Sequence, residues 1–167
     1  VRSISDFSNL IPNEDGDFDL TFEFGQDKYE INAGDYYPTF SYRYLNIKHI
    51  PEFCFNHPEF NVEDYHKYFQ HVKLYSNHTV DGNLGKSKFK IGKPNAKLLQ
   101  IIQELSGTES KLKDEQIPPF GHFHLSDTQK IDGEVTKRPV IHFMVGNHAI
   151  LHILIYDPYH QIHPTTH

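Results

Sequence analysis

Alternation of apolar and polar positions begins at Leu20. Leu20, Phe22 and Phe24 share one side, Gly25 to Asp27 interrupt, and Tyr29 and Ile31 resume, the signature of a β-hairpin. Phe40, Tyr42 and Tyr44 repeat the two-residue period in an aromatic stretch from Tyr36 to Ile50 and predict a third strand there. At Asn61 the period changes. An N-cap side chain, acids at positions 63 and 64 and the stripe Tyr65, Phe69, Val72 predict a helix to about Ser76, with His66 and His71 off that stripe. Leu98, Ile101, Ile102 and Leu105 predict a second helix over 95–106, closed by Gly107. Beyond it the pattern is β again: a strand over 121–127, then a hairpin over 139–157 that turns at Gly146-Asn147 or Asn147-His148. Ile150 to Tyr156 is apolar on both faces, as a central strand is. The whole predicts an α+β domain: a mainly antiparallel sheet, two amphipathic helices covering it, and a C-terminal β-hairpin.

The 167 residues are enough for one core, and 13 Phe and 10 Tyr make that core aromatic. Residues 1–19 are rich in Asn, Gly and acids and read as a polar arm ahead of a single domain over 20–163. Asp15, Asp17 and Asp19 have the spacing of a calcium loop. Leu20 stands where that loop needs Gly and Gln26 where it needs Glu, so the calcium reading fails. The net charge of −6 is concentrated at one end, since residues 1–35 hold nine acids against Arg2 and Lys28. This balance argues against a broad nucleic-acid-binding surface and makes the arm a candidate docking segment for a protein partner. The single Cys54 excludes an intrachain disulfide and points to the cytoplasm. The longest apolar run, 149–156, is far short of the roughly 18 residues of a membrane span, so no membrane partner is expected.

Histidine carries the chemistry. Of 13, eight lie in the last 46 residues: His122, His124, His142, His148, His152, His160, His163 and His167. Imidazole titrates near neutrality and is the commonest metal ligand, so this density raises acid/base catalysis and metal binding together. His122 and His124 are two apart on one strand and leave the same face, with Phe123 and Leu125 on the other. They can act as an acid and a base, or as two ligands of a divalent zinc, iron or manganese ion completed by a third group. For an unbulged two- or four-residue hairpin, His142 shares a face with Leu151 and Ile153, while His152 shares one with Ile141 and Phe143. The two rings would then point apart. In Tyr156-Asp-Pro-Tyr-His160, Asp157 and His160 close the last strand, and Asp157 is placed to orient His160.

Lys86, Lys88 and Lys90 alternate with Ser87, Phe89 and Ile91, and Lys93 and Lys97 follow, a concentrated positive stretch on an acidic chain. As a strand face it could grip the phosphates of RNA or another phosphate-containing ligand; as an edge strand its lysines would resist aggregation. There is no Walker loop, dinucleotide fingerprint, nucleophile elbow or His-Glu-x-x-His helix. His124-Leu-Ser126 and His163-Pro-Thr165 resemble the paired His-x-Ser/Thr triplets of two-histidine phosphoesterases. The order of elements over 60–163, helices followed by a three-stranded antiparallel sheet, resembles the small bacterial ribonuclease toxins of the RelE type. That resemblance implies catalytic side chains on the sheet and near the C-terminus, although those toxins are basic and this chain is not.

Three function classes follow. The first is a nuclease or phosphodiesterase without metal, with His122 or His124 as general base, His160 as acid, Asp157 in support and the lysines on phosphate. The second is a metalloprotein using His122, His124 and a third ligand such as Asp157 or His160. The third is a protein-interaction module docking through its acidic arm.

Overall fold

The computed structural model describes residues 33–106, 117–127, 129–131 and 134–163. The acidic arm, the hairpin expected over 20–31, Gly107, Thr165 and His167 lie outside the described residues. The protein is an α+β fold. Its strands are β1 (Thr39–Ser41), β2 (Lys90–Gly92), β3 (Phe120–His124), β4 (Gln129–Ile131), β5 (Glu134–Lys137), β6 (Val140–Val145) and β7 (Ile150–Asp157). Its helices are α1 (Val62–Ser76), α2 (Val80–Asn83) and α3 (Ala96–Ser106). Five strands form one sheet in the order β1-β7-β6-β3-β2, while β4 and β5 form a separate two-stranded ribbon. Every pairing in the main sheet is antiparallel except β1 with β7, which is parallel. Parallel neighbours need a long connection, and here most of the chain runs between them.

The sheet separates two apolar layers. Helix α1 begins as its sequence predicts, with the Asn61 side chain accepting from the backbone N–H groups of Glu63 and Asp64 at 3.0 and 3.2 Å. Its buried stripe differs from the expected one. Tyr68 and Tyr75 face the sheet with Val72 beside them, whereas Tyr65 and Phe69 are exposed. His71 belongs to the sheet-facing side: its ring stacks on Tyr75 and its Nε2 lies 3.2 Å from the Leu125 carbonyl. The register of the stripe is set by the aromatic cluster it meets, Phe123 and Phe89 against Tyr75, which periodicity alone does not locate.

Helix α3 buries the residues its pattern predicts, Leu98, Ile101, Ile102 and Leu105, but on the opposite side of the sheet. It packs there with Phe120, Met144, Leu154 and Ile155, while α1 packs with Phe123, Ile141, Phe143, Leu151 and Ile153. The two helices therefore cover different faces, with the sheet between them. Full burial of each such aliphatic side chain contributes roughly 1.5–3 kcal/mol, which fixes the strand parity firmly.

The hairpin of β6 and β7 departs from simple alternation twice. Its connection is a short 3-10 turn at Asn147–Ala149 with left-handed backbone at His148 and Ala149, so Val145 pairs with Leu151 and Met144 with His152. A register shift after Phe143–Ile153 then pairs His142 with Ile155 and Val140 with Asp157. The bulge at Leu154 returns His142 and Asp157 to one face. The turn, not the bulge, has already put His152 on that same face, opposite Met144 and against the Tyr44 ring at 5.0 Å, rather than with Ile141 and Phe143. One extra residue on one strand reverses every parity beyond it.

The lysine stretch is likewise shorter as a strand than its alternation predicts. Gly85, Ser87 and Lys88 all have left-handed φ, so Lys86–Lys88 forms a 3-10 turn and pairing starts at Lys90, opposite His122. Gly121, opposite Ile91, has no room for a side chain. A Cβ there would stand 2.3 Å from the Phe143 ring and 2.6 Å from the Lys90 carbonyl.

Candidate metal centre

Helix α3 covers only part of its face of the sheet; the remainder is floored by histidine. His122 and His124 project from β3, as their two-residue spacing predicts, and His142 stands on β6 directly opposite His122. The segment after β7 brings His160 and His163 over them. The ring centroids of His124 and His160 lie 4.8 Å apart, those of His122 and His163 5.4 Å, and those of His122 and His142 5.6 Å.

Asp157 shapes that segment. Its carboxylate accepts hydrogen bonds from the backbone N–H groups of Tyr159, Gln161 and Ile162, at 3.3, 2.9 and 2.8 Å, and so winds the chain into a tight turn. His160 sits at the apex in left-handed backbone, φ 57°. Contrary to the expected role, Asp157 does not bond the His160 ring. Its nearest imidazole is His142, with Nε2 3.8 Å from Oδ2 and both groups fully buried. Burial alone would raise the Asp157 carboxyl; the adjacent His142 and the N–H groups of Gln161 and Ile162 prevail and hold it below the usual range, so it stays ionised.

The far end of the segment is tied to α3. Asn95 caps the helix by accepting from Leu98 N–H at 2.9 Å, which turns its amide NH₂ toward the Ile162 carbonyl and toward His163 Nδ1 at 3.1 Å. His163 Nδ1 is thereby an acceptor. In a neutral ring Nε2 then carries the proton.

Two sets of three imidazoles place nitrogens within 4.8 Å of one another: His122, His124, His160 and His122, His142, His163. Ligands around one zinc, at about 2.0–2.1 Å each, stand about 3.4 Å apart in a tetrahedron, so each set must contract to bind. The sets differ in chemistry. His163 spends Nδ1 on Asn95 and offers only N–H at Nε2, which removes it as a ligand in this tautomer. In the first set, His124 Nδ1 and both nitrogens of His160 are buried without a hydrogen-bond partner. Both nitrogens of His142 are also buried and unbonded, with Asp157 placed to accept from Nε2.

Burial keeps the rings neutral. It pushes His122 down to about 3, helped by His142 and His163, and His124 down to about 3, helped by His160, Lys88, Arg138 and Lys90. His160 falls to about 4 through burial and Arg138, against the opposing pull of Asp157. Neutral imidazoles keep a lone pair for a metal at pH 7, at a pH where protonated ones would not.

Of the residues the sequence singles out, His122, His124 and His160 come together, and Asp157 lies behind them. Lys90 is paired with His122, and Lys88 lines a cavity with His124. Lys86 contributes its carbonyl to the Tyr75 hydroxyl and lines neither cavity beside the histidines. His142, His163 and Asn95 join the site unannounced. Pairing parity puts His142 with Leu151 and Ile153, which in fact face the other way, so it gives no signal for the first, and the N-cap position of Asn95 gives a partial one for the last. Cys54 is buried and its thiol donates to the Pro51 carbonyl, away from the histidines. No helix among the described residues is long and apolar enough to cross a membrane. Comparison with protein-family models, curated proteins and solved structures finds no match to this chain.

Proposed function

We propose that this protein is a metalloprotein that holds one divalent cation, zinc by preference, on His122, His124 and His160 and serves as a metal-dependent hydrolase. The observation that carries the reading is the set of buried, unbonded ring nitrogens on His124 and His160 beside His122. A buried polar atom without a partner costs about 1–3 kcal/mol, and several on one small patch are a burden unless something from outside satisfies them. Three neutral imidazoles suit zinc or iron; manganese favours oxygen donors. Such an ion, when bound, polarises a substrate oxygen and activates water near neutral pH. Asp157 then holds the His160 turn in place and orients His142, and His163 offers its Nε2–H as a hydrogen-bond donor beside the ligands.

The metal-free alternative uses the same histidines as general base and acid. Rings held at about 3 to 4 are weak bases and carry no proton to give at pH 7, which favours the ligand role. Elemental analysis by mass spectrometry, on untagged protein purified without chelator or nickel resin, tests the proposal. About one zinc per chain is expected, lost in His124→Ala and in His160→Ala with the circular dichroism of the fold retained. Metal-free protein that also takes up no added zinc or iron would overturn it.

A further inference from the structure

Beside His124 the sheet opens. Strand β2 ends at Lys90, opposite His122, so the β3 edge beyond His122 is bordered by the left-handed turn at Ser87 and Lys88 instead of a paired strand. A cavity of about 230 Å³ lies there, lined by His71, Ser87, Lys88, His124, Ser126 and Asp127. His124 is 6% exposed and its Nδ1 unbonded; the Ser126 hydroxyl is also buried and has no hydrogen-bond partner. On the far side of His122 a second cavity of about 190 Å³ is lined by Lys90, Lys93, His122 and His163.

Cations predominate around these openings. Lys88, Lys90 and Arg138 all act on the His124 ring as positive neighbours. Of the carboxylates, Asp157 is taken up by three backbone N–H groups, and Asp127 stands at the exposed rim. A lysine at the mouth and a buried donor hydroxyl without a partner, above an imidazole on the floor, match an anion with several acceptor oxygens. The volume lies below the roughly 300–1,000 Å³ of pockets that enclose a whole ligand, so the cavity takes a group and the rest of the molecule stays outside.

We propose that the cavity between Lys88 and His124 receives the phosphoryl group of a phosphorylated substrate, with the Lys88 ammonium and the Ser126 hydroxyl as its direct donors and Lys90 adding longer-range attraction. The proposal rests on the metal centre for the reacting group, but its recognition residues are separate from the ligands. Lys88 and Lys90 are exposed, so neutral variants leave the core intact.

Calorimetric titration of inorganic phosphate into protein as purified, with zinc per chain measured on each sample, tests it. Lys88→Gln and Ser126→Ala should each weaken phosphate binding about tenfold or more, the loss expected for one hydrogen bond to a charged group, with zinc content unchanged. Lys90→Gln should weaken it less, and added salt should abolish that difference. Sulfate should compete and acetate should not. Equal phosphate affinity in wild type and in both Lys88→Gln and Ser126→Ala would overturn the proposal, as would acetate binding as tightly as phosphate. Absence of zinc from the wild type would instead sink the metal reading, while the phosphate titration would still judge the cavity.

Discussion

Each face of the sheet buries a cluster of polar side chains, and the two are finished differently. On the α1 side, Asp64 accepts from the Lys137 ammonium and, at 3.0 Å, from the Tyr156 hydroxyl, and Lys137 also donates to the Glu59 carbonyl. The Asp64 carboxylate further closes the α1 capping box on Asn61 N–H at 3.4 Å. Opposite charges meet, donors find acceptors, and the cluster is complete within the chain. On the α3 side, five imidazoles converge with one carboxylate, and that carboxylate is occupied by backbone. The first cluster joins α1 to β5 and β7; the second is arranged as a receptor. A polar group that the fold uses for itself is partnered by the fold, and one left open points outward.

The sharpest way to break this contrast is to remove one member from each side. Asp64→Ala strands a buried ammonium and should cost about 3–5 kcal/mol in denaturant unfolding. His124→Phe in metal-free protein removes an unbonded nitrogen and keeps a ring, so the change should stay within about 1 kcal/mol. Comparable losses in both would make the histidines part of the structural core. Next in size is the response to zinc. At a thousandfold excess over Kd it should stabilise wild type by about 4 kcal/mol, and His124→Phe by much less, as read from thermal melts. Asp64→Glu, where it folds, should keep the full zinc response, because the two clusters sit on opposite faces.

Acid should find the histidine side first. His122, His124 and His160 lie far below the ordinary 6.5 in the folded protein, so between about pH 4 and 6.5 the unfolded chain binds protons the folded chain does not. Stability of the metal-free protein is therefore full above pH 6.5 and falls as pH drops through that window. Urea midpoints at pH 7.5, 6 and 5 should decline in that order, and a flat series would show that the rings are not held neutral. The smallest effect is expected at Asn95. Asn95→Asp keeps the α3 cap but presents only acceptors to His163, so Nδ1 takes the proton and Nε2 gains a lone pair. Stability should fall by about 1 kcal/mol, the net worth of the hydrogen bond to the Ile162 carbonyl that the carboxylate cannot make, while zinc affinity rises because a fourth imidazole becomes a ligand. Unchanged affinity would mean that His163 does not reach the ion.

Much of the scaffold was legible along the chain because its signals are local. The Asn61 cap, the α3 stripe at Leu98, Ile101, Ile102 and Leu105, and the shared face of His122 and His124 each depend on residues within two turns or one strand. The failures were non-local. The α1 stripe was misplaced by Tyr65 and Phe69 because aromatic residues occur on both sides of that helix, and only contact with Phe123 chooses between them. His152 was assigned to the wrong face because the turn at Asn147–Ala149 pairs Val145 with Leu151, one residue more than the assumed two- or four-residue loop allows, and nothing in the sequence marks that length.

By itself, then, the sequence determined where α1 and α3 lie, that the C-terminal third is sheet, and that one strand offers two histidines to one side. Only the tertiary structure decided that α1 and α3 take opposite faces, that β1 joins in parallel, and that His142, His160 and His163 gather on the histidine pair. The physical reason is range. Periodicity and capping are written in neighbouring residues, whereas a ligand set is assembled by a bulge, an Asp157 turn and an Asn95 tether, whose partners lie on different segments of the chain.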